Sequence, residues 1–112
     1  MTPDEARAVI RALPEIEEGF NMNSPFFKVN GKILTRILGE ADIQLGNISA
    51  LERETLIEAD PAVFHSTSHF NDARMMLARI ETLTPEVLRG FMVRRWRELV
   101  PKAWLMRPDA RS

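Results

Sequence analysis

The chain has 112 residues and no cysteine, which fits one domain and excludes disulfides, Cys-ligated zinc, iron–sulfur clusters and thiol catalysis. No apolar run approaches the ~18 residues of a membrane-spanning helix. The polar start Met1-Thr2-Pro3-Asp4-Glu5 does not read as a secretory signal, so a cytoplasmic protein with no membrane partner is expected. A net charge of −1 argues against a uniformly basic nucleic-acid binder, yet the charge is uneven. Residues 1–60 hold 11 acids and 6 bases and residues 61–112 hold 5 acids and 9 bases, a net of −5 and then +4.

Thr2-Pro3-Asp4-Glu5 opens a first helix, with Thr2 and Glu5 as a capping box and Pro3 in the first turn. Ala6, Val9, Ile10 and Leu13 follow on one face, and Pro14 stops the helix. Glu15 to Phe20 alternates weakly and predicts a short strand. Two alternating apolar runs then flank Asn30-Gly31, the strongest short-range hairpin signal. Both residues tolerate the positive φ that a tight turn requires. Gly39-Glu40 turns the chain again, and Asp42 to Leu45 alternates as a fourth strand, completing an antiparallel meander.

Ser49-Ala50-Leu51-Glu52 reads as a second capping box, starting a helix to about Ala59 with Leu51, Leu56 and Ile57 as core candidates. Ala62 to Phe64 predicts a brief strand, His65 to Asp72 a polar loop, and Ala73 to Ile80 a further strand. Thr84-Pro85 caps a last helix whose apolar arc holds Val87, Leu88, Phe91, Met92, Trp96, Leu99 and Val100. Pro101 stops it. Residues 1–104 are expected to form the single domain, with residues 105–112 as a C-terminal tail.

Candidate sites follow from charge. A two-residue turn at Asn30-Gly31 sets Lys28 and Lys32 on opposite faces of the hairpin. A three-residue bulged turn sets them on one face with Arg36, a like-charge cluster that hints at an anion site. On the last helix, Arg94 and Arg97, with Lys102 beyond it, could track phosphates; a solvated helix face with Glu98 pairing Arg94 is the plainer reading. Arg95 falls inside the apolar arc, either snorkelling or paired with a buried acid. His65, His69 and Asp72, and separately Glu15, Glu17 and Glu18, have the residue types of metal-ligand sets. Solvated loop and strand side chains account for both, so no metal and no cofactor is assigned. No phosphate loop, nucleophile elbow or triad stands out, so no enzymatic activity is expected.

Several segments taken in order resemble the MmcQ/YjbR family of small bacterial proteins. They are Leu13-Pro14-Glu15, the hairpin from Pro25 to Ile33, Asp60 to Phe64 with Ser68-His69-Phe70, Leu77 to Ile80, Arg95-Trp96-Arg97 and Pro101-Lys102. Their order and spacing carry the resemblance, over about residues 10–104. It implies an α+β two-layer sandwich of the CyaY-like (frataxin) type, with an antiparallel sheet and helices packed on one side. It also implies a DNA-binding label assigned to that family by structural analogy. The expectation is a non-enzymatic DNA-binding module using Lys28, Lys32, Arg36, Arg94, Arg97 and Lys102. The alternative is a protein-interaction or small-ligand domain without nucleic-acid binding, using a groove near Trp96 and Phe70.

Overall fold

The computed structural model describes residues 1–22, 24–66 and 74–106. Helix α1 (Pro3–Arg11) begins as its sequence predicts. Thr2 Oγ1 accepts from Glu5 N at 3.1 Å, and the Glu5 carboxylate accepts from Thr2 N at 3.0 Å. Strands β1 (Glu17–Asn21), β2 (Ser24–Val29), β3 (Lys32–Leu38) and β4 (Asp42–Gly46) form the meander. Helix α2 (Ala50–Ala59) follows, then β5 (Phe64–His65), β6 (Met75–Arg79), α3 (Pro85–Leu99) and a closing 3-10 helix over Lys102–Met106.

The six strands lie in the order β1-β2-β3-β4-β6-β5, and every adjacent pair is antiparallel. Register assigns the faces. Phe27 pairs with Thr35, Ile37 with Ile43, Ile43 with Ala78, Leu45 with Met76 and Phe64 with Ala78. All of these are buried. This face receives Ala6 and Ile10 from α1 and Leu88, Met92, Trp96 and Leu99 from α3, completing the core. Burying side chains of this size is worth about 1.5–3 kcal/mol each. Thr35, wholly buried, satisfies its hydroxyl by donating to the Gln44 carbonyl at 2.7 Å. Trp96 is anchored by its ring nitrogen, which donates to the Pro14 carbonyl at 2.9 Å and so fastens α3 to the chain after α1. Trp104 and Leu105 also pack on the core.

Three expectations for the helices change. Leu51 is 74% exposed. At ~100° per residue it lies roughly opposite the midpoint of Leu56 and Ile57, and those two make the core contact. Ser49 Oγ does accept from Glu52 N at 3.1 Å, but the Glu52 carboxylate binds Arg94 and does not complete a box with the Ser49 backbone. Val87, in the first turn of α3, is also exposed, at 42%. No helix among the described residues is long and apolar enough to cross a membrane.

Candidate nucleic-acid interface

The turn between β2 and β3 has two residues, Asn30 at φ 54° and Gly31 at φ 73°. Val29 therefore faces Lys32, and Lys28 faces Ile33. Lys28 and Lys32 belong to opposite faces, the register that separates the two hairpin lysines. One residue further on, the ladder shifts. A β-bulge between Phe27 and Lys28 leaves Phe27 opposite Thr35 and Phe26 opposite Arg36. Without it, Arg36 would fall on the face of Phe27, among the core residues. With it, Arg36 joins Phe26, Lys28 and Ile33 on the other face.

Phe26 lies on β1 because its neighbour there is Gly19. A Cβ at Gly19 would stand 2.5 Å from the Phe26 Cζ, inside any tolerable contact. Lys28 Nζ sits 5.3 Å from the Phe26 ring centroid, a cation–π contact. Phe20, 65% exposed, pairs with Pro25 and so belongs by register to the opposite face from Phe26, but it borders the same groove at the sheet edge. Together Phe20, Phe26, Lys28, Ile33 and Arg36 line an open groove of about 400 Å³, with no carboxylate among the described residues of its lining. Glu17 stands across from Lys28 on β1 and offsets part of that charge, so Arg36 is the freer cation.

The remaining predicted cations are arranged differently. Arg94 forms a two-pronged pair with Glu52, at 2.8 and 3.2 Å, joining α3 to α2. It also lies 5.3 Å over the Phe91 ring. The Glu52 hydrogen bond raises the Arg94 pKa further, so this guanidinium is committed to holding the helices together. Arg97 and Lys102 are exposed. The Asn30 side chain donates to the Leu99 carbonyl at 2.9 Å, tying the hairpin turn, and with it exposed Lys32, to the end of α3 from which Lys102 follows. Lys28 and Arg36 are thus brought together, Lys32 and Lys102 belong to the turn end of the molecule, and Arg94 is engaged elsewhere.

The two ligand sets weighed from sequence are divided. His65 Nε2 pairs with Asp42 at 2.6 Å, while His69 and Asp72 lie outside the described residues. Glu18 is paired with Arg11. Among the described residues no three His, Asp or Glu side chains converge as a metal site. Phe20 and Phe26 were missed as surface residues. Only the bulge and the Gly19 contact reveal them, and neither has a signature at the level of residue pattern.

The molecule is thus an α+β protein whose six-stranded antiparallel sheet is buried on one face by helices. No family model matches the chain, and no curated protein does. The crystal structure of Deinococcus radiodurans protein DR2400, a DUF419 domain, is similar in fold. The TM-score is 0.69 with 20% identity, over 91% of this chain and 80% of that one. DUF419 is the MmcQ/YjbR family. At that identity the likeness establishes the fold the two chains share.

Proposed function

We propose that this chain is a non-enzymatic nucleic-acid-binding module of the MmcQ/YjbR type that takes single-stranded DNA on the exposed sheet face of β1 to β3. The observation that carries it is the bulge that sets Arg36 on the same face as Lys28, astride Phe26. Single strands are held by aromatic side chains that stack on bases and cations that follow the backbone. Phe20, Phe26, Lys28 and Arg36 supply both within one groove. The net charge of −1 fits a short footprint better than a long track of duplex phosphates. Lys32, Arg97 and Lys102 would extend the contact at the turn end. A cytoplasmic location goes with this reading.

Fluorescence anisotropy with a labelled oligothymidine and with a duplex of equal length, both at low salt, tests it. The expected result is binding of the single strand in preference to the duplex, weakened by Arg36→Met and by Phe26→Ala. Absence of binding to either at low salt rules the reading out.

A further inference from the structure

Arg95 stands in the apolar arc of α3, between Leu88 and Leu99, where an aliphatic residue would bury more cheaply. Its side chain runs against Gly46, where an added Cβ would come within 2.9 Å of Nε and 3.4 Å of Cδ. The Arg95 Nε is buried and has no hydrogen-bond partner. Gln44 lies beside it, only 8% exposed. Its backbone oxygen is taken by Thr35, and its side chain borders the same pocket as Arg95. Folded proteins rarely leave a buried donor such as the Arg95 Nε–H unpaired, least of all on a charged group.

Both side chains line one pocket of about 260 Å³. Arg74 and Asn47 stand beside them. Asn47 gives its amide N–H to Glu98 and accepts from Arg74 Nε at 3.0 Å. That chain of bonds orients Arg74, and among the described residues its terminal nitrogens make no contact that would keep them from another acceptor. Among the described residues no carboxylate lines the pocket, and Ile33 and Met75 give it an apolar wall.

We infer that this pocket binds a small oxyanion, a carboxylate or phosphate group on a short apolar body, gripped by Arg95 and Arg74 with Gln44 completing the contact. An arginine fork matches the two oxygens of either group. The volume lies below the roughly 300–1,000 Å³ of drug-sized ligand sites, so the ligand is a small one. Gly46 is the residue that makes room for the guanidinium. The site is separate from the sheet-face groove, although Ile33 borders both, and its test uses free anions and no nucleic acid.

Nitrogen-detected titration of the arginine Nε–H signals with inorganic phosphate, and separately with butyrate, provides that test. Saturable movement of the Arg95 Nε–H and the Gly46 amide is expected, with Arg89 on the exposed side of α3 as the unmoved control. Response to phosphate alone assigns a phosphate ligand, and response to butyrate alone assigns a carboxylate. Arg95→Met should weaken binding about tenfold or more, as expected for loss of a charged hydrogen bond. Gly46→Ala should do the same by crowding the guanidinium, and it serves if Arg95→Met does not fold. If neither anion moves the Arg95 signal at hundreds of millimolar, or both variants bind as tightly as the parent chain, the inference is overturned.

Discussion

Phe27 stands opposite Thr35 in the sheet, one residue beyond the Leu34 that the two-residue turn alone would assign to it. That single offset decides which side chains of β3 meet the core and which meet solvent. Thr35 goes inward, where its hydroxyl finds the Gln44 carbonyl, and Arg36 goes outward beside Lys28 and Phe26. The cationic, aromatic groove is therefore a product of backbone irregularity.

The hairpin turn is held by two separable terms. Gly31 has open space where a Cβ would go, so Gly31→Ala should cost only the left-handed backbone penalty of about 1 kcal/mol. Asn30→Gly keeps the turn geometry but removes the side-chain bond to the Leu99 carbonyl, again about 1 kcal/mol. Urea denaturation of the two single variants and the double variant should show near-additive losses. A double variant no worse than either single one would mean that the turn and the helix tie are one interaction.

Much of the fold was legible in the sequence because it rests on local chemistry. Thr2 and Glu5, Asn30 and Gly31, and Thr84 before Pro85 each specify backbone geometry within a few residues, and the structure has each of them. What was not legible depends on partners far along the chain. Leu51 looked apolar enough for the core, but the orientation of α2 is set by Leu56 and Ile57 and by the bond from Glu52 to Arg94. The bulge between Phe27 and Lys28 follows no turn residue or apolar alternation. It belongs to the pairing of β2 with β3, which only the assembled sheet defines. Arg95 was recognisable as misplaced in an apolar arc, but the Gly46 that accommodates it lies in a strand 49 positions earlier.

The first capping box gives a pH-dependent term of known sign. The backbone N–H of Thr2 hydrogen-bonds the Glu5 carboxylate and holds its pKa below the ordinary 4.5 of a glutamate. A carboxyl depressed on folding stabilises the native state above its unfolded pKa, and that contribution is lost as pH falls through the lower folded value. Glu5→Gln should therefore be less stable than the parent at neutral pH, and the difference should shrink as pH drops below 4.5. Urea midpoints of the two chains compared at neutral and acidic pH check it. A gap that stays constant with pH would remove the carboxylate from the cap.

Arg94 and Glu52 should behave as a structural pair and not as a ligand contact. Both side chains are substantially exposed, 42% and 35%, so solvent screening limits their coupling to about 0.2–1 kcal/mol. A double-mutant cycle of Arg94→Met and Glu52→Gln should find a coupling of that size in thermal unfolding. In the anisotropy assay Arg94→Met should bind single-stranded DNA like the parent chain, in contrast to Arg36→Met. Equal loss in the two variants would return Arg94 to the binding surface.

Salt dependence distinguishes a compact sheet-face contact from an extended electrostatic one. For single strands, the logarithm of affinity falls with the logarithm of salt by about 0.7 per phosphate neutralised. Lys28 and Arg36 alone predict a slope of about −1.4 on that scale. Recruiting Lys32, Arg97 and Lys102 as well would bring it to about −3.5. Arg36→Met should flatten the slope by about 0.7 at every salt concentration. Phe26→Ala should weaken binding by about 1–3 kcal/mol through lost stacking and leave the slope unchanged. The two variants thus read different terms of one interface. If Phe26→Ala changes the slope, or Arg36→Met leaves it alone, the cation and the ring are not acting side by side on the same strand.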